Sequence, residues 1–156
     1  MINIDKGILN KQAYVVTTGL NTISGTAEHP YLLLDNVSAT VRILVHHVSF
    51  GLDSNTVRAL SYTYRDPTVT TNGTELTIHN TYVGADNPAS TMKAYKDPTV
   101  SANGTYENLA IEPKDGRDRG LNRTYFIDPG HKLLVTAKNS VSNTSTFVQI
   151  YFLEDV

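Results

Sequence analysis

Five histidines are the residues of this sequence best suited to acid–base catalysis or metal binding, but their spacing does not assemble a site. His46 and His47 are adjacent in a predicted strand, where successive side chains point to opposite faces, so their rings are not expected to share a metal ion. The others, His29, His79 and His131, lie singly. Because the chain has no cysteine, thiolate nucleophiles, disulfides and Cys-ligated metals are excluded.

A serine nucleophile also lacks its usual setting, since the Gly-x-Ser-x-Gly elbow does not occur in the chain. The histidines are therefore expected to be structural. The sequence predicts that the protein is not an enzyme and that it has no catalytic residue, no metal site and no cofactor.

An internal repeat is the other candidate site. Eleven residues beginning at Tyr64 recur from Tyr95, with eight identities at an offset of 31, and each copy contains Asp-Pro followed by Asn-Gly. The aspartates Asp66 and Asp97 could act as calcium ligands. Calcium loops need several more oxygen ligands at fixed spacing, however, and neither copy has them. The sequence therefore favours turns over metal sites.

The residue types indicate how the repeat turns the chain. Proline blocks a helix and biases the preceding aspartate to extended geometry, whereas Asn-Gly suits the positive φ of a tight turn. The sequence thus predicts two equivalent corners. Their residues are Asp66, Pro67, Asn72 and Gly73 in the first copy and Asp97, Pro98, Asn103 and Gly104 in the second.

The composition predicts the elements that position these residues. Among 156 residues there are 20 Thr and 13 Asn but only 7 Lys, a bias toward side chains that suit pleated strands rather than helices. Apolar runs recur between clusters of Gly, Pro, Asn and Asp, which is typical of a sandwich or barrel. We expect an all-β, single-domain protein with an antiparallel β-sandwich or barrel.

The charge and hydropathy of the chain exclude some partners. Thirteen Lys and Arg against 15 Asp and Glu give a net charge of −2, which supplies no basic surface for phosphates, so nucleic acid is not an expected partner. No apolar stretch approaches the roughly 18 residues of a membrane span, so no membrane contact is expected. The N-terminus also lacks the basic and apolar segments of a secretory signal.

Two predicted strands, residues 40–52 and 145–153, are apolar on both faces. In a small domain without helices, one face of such a strand packs in the core while the other needs a cover. A neighbouring subunit can supply that cover, so the pattern predicts self-association.

The sequence predicts two parts of the chain, an N-terminal arm with the first strand at 1–25 and the β-sandwich domain at 26–156. Apolar residues stand among polar ones in the first ten positions, namely Ile2, Ile4, Ile8 and Leu9. An extended arm would place Ile2 and Ile4 on one face, which suits strand addition to the open sheet edge of a partner. The alternative is a terminus that frays or docks on its own domain.

A charged loop is the second candidate for partner contact. Residues 114–120 read Lys-Asp-Gly-Arg-Asp-Arg-Gly, and Arg117 and Arg119 could pair with charges of a neighbouring subunit. A solvated loop is the alternative.

The order of several segments resembles small structural proteins of tailed bacteriophages. These segments are residues 30–36 leading into 40–43, the doubled repeat, residues 127–135 and the closing strand at 147–151. The family comprises capsid decoration, cement and head-fibre-base proteins, which are jelly-roll-like β-sandwiches and often trimeric. The resemblance implies a homotrimer on the outer surface of the virion, made in the host cytoplasm, that bridges major capsid protein subunits. The family has no catalytic residues to carry over.

A receptor- or carbohydrate-binding module of the phage tail or head is the alternative from another functional class. Sugar binding uses exposed aromatic rings, and the chain has no Trp but nine Tyr, including Tyr62, Tyr64, Tyr82 and Tyr95. Because tyrosine is an amphipathic ring that can stack on sugars, this alternative stays open.

Overall fold

The computed structural model describes residues 11–53, 59–84, 86–111, 119–121, 124–140 and 144–154, apart from the side chains of 108–111 and 119–121. None of these residues belongs to a helix that could cross a membrane. The described residues form the strands β1 (Ala13–Thr17), β2 (Asn21–Ile23), β3 (His29–Asp35), β4 (Ile43–Leu52), β5 (Ala59–Arg65), β6 (Thr68–Thr71), β7 (Thr74–Glu75), β8 (His79–Asn80), β9 (Lys93–Lys96), β10 (Thr99–Ala102), β11 (Thr105–Ile111), β12 (Arg119–Leu121), β13 (Tyr125–Ile127), β14 (Lys132–Asn139) and β15 (Thr144–Glu154).

The strands form two antiparallel sheets and a separate two-stranded ribbon. The first sheet has the order β12-β4-β15-β1-β8, with β13 beside β4 and β2 beside β15, and the second has the order β11-β5-β14-β3-β9-β7. The ribbon pairs β6 with β10. The orders β1-β15-β4-β12 and β3-β14-β5-β11 are those of a jelly roll. The expectation of an all-β, jelly-roll-like sandwich in a single domain is confirmed.

The core lies between the two sheets. Alternation along each strand sends every second side chain inward, and each such Leu, Ile or Phe contributes about 1.5–3 kcal/mol when fully buried. The inward residues include Val48, Phe50, Ile150 and Phe152 from the first sheet and Leu32, Leu34, Leu133 and Val135 from the second. Within the described residues, strands alone form the body around this core.

An insertion between β5 and β11 carries the sequence repeat and extends both sheets. It adds β9 and β7 beside β3 in the second sheet, and β8 beside β1 in the first. The two copies of the repeat do not form separate corners, because β6 of the first copy pairs with β10 of the second. After this crossing, β7 pairs with β9, and β11 pairs with β5. The second half of each copy is thus folded against the other copy.

The second sheet also buries a pair of leucines outside the main core. Leu33 and Leu134 pair at the centre of the second sheet and are fully buried, but they alternate with core residues and face the other way. Their cross-strand neighbours are Tyr64 of β5, beside Leu134, and Tyr95 of β9, beside Leu33.

Asp66 and Asp97 correct one expectation about the corners. Extended geometry predicted before proline is wrong, since their φ angles are +51° and +52°. The backbone amide of Asp66 donates to the Lys132 carbonyl at 3.0 Å, and that of Asp97 donates to the Tyr31 carbonyl at 3.1 Å. Sheet pairing thus holds each aspartate where the chain must leave the sheet, and aspartate is among the few residues that tolerate the left-handed region.

The N-terminal strands belong to the first sheet. β1 pairs with β15 on one side and with β8 on the other, and β2 pairs with the start of β15. The segment predicted as arm and first strand, 1–25, therefore contains sheet strands from Ala13 onward. The arm residues Ile2, Ile4, Ile8 and Leu9 lie outside the described residues.

Candidate functional site

Three tyrosines form a cluster on the outer face of the second sheet. Tyr62 and Tyr64 alternate along β5 with the buried Ser61 and Thr63, so their rings point away from the core. Tyr106 of β11 pairs with Tyr64. The ring centroids lie 6.4 Å apart for Tyr62 and Tyr64, 6.4 Å for Tyr62 and Tyr106, and 5.7 Å for Tyr64 and Tyr106. This tyrosine face is exposed mainly through Tyr106, which is 54% accessible.

A hydrogen-bond network fixes the tyrosine face. The Glu28 carboxylate accepts bonds from Thr136 Oγ1 at 2.6 Å and from Asn103 Nδ2 at 3.2 Å. Burial, together with the hydrogen bond and charge of Glu28, raises the pKa of Tyr64 to about 12. Tyr64 therefore remains a neutral phenol in a fixed orientation. Such a surface can stack on a partner and exchange hydrogen bonds with it.

The outer face of the first sheet carries a second aromatic group. The Phe147 ring lies directly over Gly51, where any side chain would overlap it. Farther along β15, the Tyr151 ring centroid is 6.2 Å from that of His46 and 6.0 Å from that of His47. Phe147, Tyr151, His46 and His47, here called the Tyr151 face, are partly or largely exposed.

The two histidines overturn an expectation of the sequence. They were expected on opposite faces of β4, but both rings approach Tyr151, so they share one face. The pairing of β4 with β15 shifts register between Tyr151 and Phe152, and this irregularity inserts an extra residue into β4. Burial and the neighbouring His47 lower the pKa of His46. Within the described residues, no group of three or more metal-ligating side chains accompanies this pair.

A polar cavity opens at one end of the sandwich, between β13 of the first sheet and the ends of β5 and β14 of the second. This mouth cavity has a volume of about 150 Å³. Its lining consists of Arg65, Asp66, Tyr125, Phe126, Ile127, Asp128, His131, Lys132 and Leu133. The cavity combines an apolar floor from the core with a charged rim.

Asp66 anchors the charged rim of the mouth cavity. Its carboxylate accepts the Lys132 amide at 3.0 Å and lies 2.9 Å from His131 Nδ1. Burial opposes ionisation, but the Lys132 amide, His131 and Arg65 outweigh it and hold the pKa of Asp66 below its ordinary value. Across the rim, Arg42 pairs with Asp128 at 2.6 Å.

The predicted turn glycines and the arginines of the predicted charged loop lie in different parts of the structure. Gly73 and Gly104 have φ angles of +85° and +92° and lie against the backbone of the opposite repeat copy. Arg117 lies outside the described residues, and Arg119 begins β12, where its backbone pairs with Phe50.

Two of the tyrosines named with the carbohydrate-binding alternative lie elsewhere. Tyr95 is in β9, which β14 and β3 separate from β5 in the second sheet, and Tyr82 follows β8.

Sequence reasoning missed Tyr106, Glu28 and Tyr125. Tyr106 joins the other two tyrosines only through the pairing of β11 with β5. Glu28 meets Thr136 across 108 positions of the chain. No local sequence pattern identifies such residues. Tyr106 directly follows the Asn-Gly-Thr of the second repeat copy, and the equivalent position of the first copy is Glu75.

Comparisons with known proteins give weak likenesses. No protein-family model matches the chain, and no curated protein matches it. Among solved structures, a hydroquinone 1,2-dioxygenase, PnpCD, aligns over 85% of this chain and 55% of its own, with 11% identity and a TM-score of 0.27. The chain thus spans about half of that protein.

Two further structures align at a similar level. Empty particles of cowpea mosaic virus align over 82% of this chain and 84% of theirs, with 9% identity and a TM-score of 0.26. A lipoprotein of Bacteroides thetaiotaomicron aligns over 93% and 84%, with 10% identity and a TM-score of 0.26. Similarities this low assign neither a fold family nor a function.

Proposed function

We propose that this protein is a structural component of a bacteriophage virion, a decoration or cement protein that binds the outside of the head and bridges major capsid protein subunits. The observation that carries the proposal is an aromatic surface on each outer face of the sandwich, the tyrosine face on one side and the Tyr151 face on the other. A body with a contact surface on both sides can bind a neighbouring protomer with one face and the capsid with the other.

The segments that resemble phage head proteins form the framework between these two faces. They include β3, the start of β4, and β13 leading into β14, with β15 closing the first sheet. Jelly rolls occur in viral capsid proteins and in lectins, so the fold is compatible with the role. The proposed role requires no catalytic residue, metal or cofactor.

Attachment as a homotrimer would make weak contacts durable. Each protomer would add one contact with the capsid, and linkage raises the effective concentration of the remaining contacts once the first has formed. In this proposal the Tyr151 face packs between protomers, because it belongs to the two strands whose sequences are apolar on both faces. The tyrosine face then contacts the capsid.

Substitutions on each face test this assignment. Tyr106→Lys should lower occupancy on decoration-free heads, measured by co-sedimentation, while light scattering still gives a trimer. Tyr151→Lys should yield monomers at tens of micromolar and lose occupancy as a consequence. Val83→Lys is the matched control, since Val83 is fully exposed and belongs to neither face. A wild-type protein that fails to bind heads, or is monomeric, contradicts the proposal.

A receptor- or carbohydrate-binding module is the second candidate function, and the tyrosine face is the observation that favours it. Three clustered tyrosine rings beside a carboxylate and an amide resemble the aromatic and polar groups that small-molecule sites combine. Binding to host cells or to a glycan array that Tyr106→Ala abolishes, without binding to heads, would favour this candidate.

A further inference from the structure

Asparagine followed by glycine occurs twice in the sequence, at Asn72-Gly73 and at Asn103-Gly104. Asparagine is a thermolabile residue. A following glycine increases its reactivity, because the backbone nitrogen of a residue without a side chain can approach the asparagine carbonyl carbon unhindered. In the repeat, both pairs are also followed by threonine. The sequence alone therefore gives the two asparagines nearly the same reactivity.

The backbone around the two asparagines is also closely matched. Gly73 and Gly104 have φ angles of +85° and +92°. Each glycine lies against a backbone carbonyl group of the opposite repeat copy, that of Lys96 for Gly73 and that of Arg65 for Gly104. A difference in reactivity between the two asparagines must therefore come from the surroundings of their side chains and not from the turns themselves.

The side chains of the two asparagines are in different surroundings. Asn103 is half-buried, and its Nδ2 donates to the Glu28 carboxylate at 3.2 Å. Glu28 lies before β3, outside the insertion, and the Thr136 hydroxyl donates to the same carboxylate at 2.6 Å. Asn72 is exposed, and its side chain makes no hydrogen bond within the described residues. Asn72 can therefore turn toward the Gly73 nitrogen, whereas Asn103 must first break its bond with Glu28.

We propose that Asn72 is a site of spontaneous deamidation and that the bond with Glu28 protects Asn103. The Gly73 nitrogen attacks the side-chain carbonyl carbon of Asn72 and forms a new N–C bond. The bond between that carbon and Nδ2 breaks, and the amide leaves as ammonia with the proton of the Gly73 nitrogen. One water molecule then opens the cyclic imide. Attack of water at the side-chain carbonyl gives aspartate, and attack at the main-chain carbonyl gives isoaspartate.

Isoaspartate at position 72 weakens the crossing of the repeat. It adds one carbon to the backbone directly before Gly73, which lies against the backbone of Lys96 and Asp97. β7 begins at the next residue, where Thr74 pairs with Lys96. We therefore expect the pairing of β7 with β9 to loosen, while the equivalent pairing of β11 with β5 is kept.

The experiment is a time course of the folded chain in ¹⁸O-labelled water, in which peptide mass spectrometry follows each asparagine and fragmentation separates isoaspartate from aspartate. The same chain unfolded in urea gives the ratio of the two rates that the sequence alone sets. In the folded chain we expect the rate at Asn72 to exceed that at Asn103 by about fivefold or more beyond this ratio, the factor expected for one retained hydrogen bond. Glu28→Ala should raise the rate at Asn103 and leave the rate at Asn72 unchanged.

Asn72→Gln and Asn103→Gln connect the reaction to the stability of the chain. After incubation, wild type and Asn103→Gln should each show a less stable fraction in urea unfolding, in proportion to the isoaspartate at position 72. Asn72→Gln should show no such fraction. Isoaspartate at position 72 without a less stable fraction would refute the weakening of the crossing.

Three results would overturn the proposed site itself. They are equal rates in the folded chain after correction by the urea ratio, a faster reaction at Asn103, and no reaction at Asn72 while the unfolded chain reacts. Should Glu28→Ala fail to fold, the comparison of folded and urea-unfolded wild type decides. Because no phage heads are used, this proposal and the head-binding proposal can fail separately.

Discussion

Val69 pairs with Val100 in the two-stranded ribbon, at the point where the two copies of the repeat cross. The residues are equivalent, 31 positions apart, and so are the pairs around them. Thr74 pairs with Lys96, and the equivalent Thr105 pairs with Arg65. The insertion thus has a local twofold relationship in which each copy completes the sheet edge of the other. Neither copy can form its native contacts alone.

The glycines of the repeat are the first test of this crossing. A Cβ on Gly73 would overlap the Lys96 carbonyl oxygen, and one on Gly104 would overlap that of Arg65. Both positions also have positive φ. We expect Gly73→Ala or Gly104→Ala to lower the free energy of unfolding by about 2 kcal/mol or more, measured with urea.

Gly25→Ala is the matched control for the glycine substitutions. Gly25 also has a positive φ, +76°, but a Cβ there would meet nothing within 4 Å. Its substitution should therefore show the backbone strain alone, about 1 kcal/mol. Equal losses at all three positions would mean that the two copies do not approach each other as closely as the crossing requires.

Asp66 should make stability depend on pH in the acidic range. Its pKa in the folded chain is lowered from the ordinary 3.8. The stability it contributes is therefore fully present above about pH 4 and is lost as the pH falls through the folded value. We expect Asp66→Asn to reduce the loss of unfolding free energy between about pH 4 and pH 2, by less than about 1 kcal/mol because the side chain is 45% exposed.

Urea unfolding across this pH range measures the effect of Asp66, with Asp97→Asn as the control. Curves for wild type and Asp66→Asn that stay parallel down to pH 2 would show that the contacts with Lys132 and His131 do not favour the charged carboxylate. The same two variants test the calcium alternative. Added calcium is expected to leave the melting temperature of all three proteins unchanged.

The fold was more predictable than the surface features. Alternating apolar residues and turn clusters indicate strands, because burial of one strand face is a local pattern, and a sandwich follows from packing two such sheets; the jelly-roll order was implied only by the resemblance to phage proteins. The pairing of Val69 with Val100 was not predictable, since two Asp-Pro and Asn-Gly units fit two separate corners as well as one crossing. His46 and His47 share a face only because of a register shift against β15. No residue of β4 indicates that shift in the sequence.

Glu154 is a buried acid that holds the insertion to the first sheet. It is 1% exposed, and its carboxylate accepts bonds from the Ser90 hydroxyl, from the Thr91 amide at 3.0 Å and from the Met92 amide at 3.3 Å. Glu154→Ala should lower the free energy of unfolding by about 1–3 kcal/mol, because the partly buried Ser90 hydroxyl and Thr91 amide lose this acceptor, while the Met92 amide keeps Ser90 Oγ at 3.0 Å. Chemical denaturation gives the value.

Glu75→Ala provides the comparison for Glu154. Glu75 pairs with Lys93 at 2.6 Å, but both side chains are about half exposed. An exposed ion pair contributes about 0–1 kcal/mol, so this substitution should change stability little. A loss at position 154 no larger than that at position 75 would show that the donors of residues 90–92 find other acceptors.

The N-terminal residues allow stability and attachment to be measured apart. β1 begins at Ala13 and is paired on both sides, so we expect a chain lacking residues 1–10 to keep its sandwich and its melting temperature. If those residues add a strand to a capsid or neighbouring-subunit edge, their backbone bonds form only in the assembly, and the deletion should reduce occupancy on decoration-free heads. Val16→Ala, at a fully buried position of β1, is the control that should lower the melting temperature. Unchanged occupancy together with lowered stability would refute the arm and move attachment to another surface.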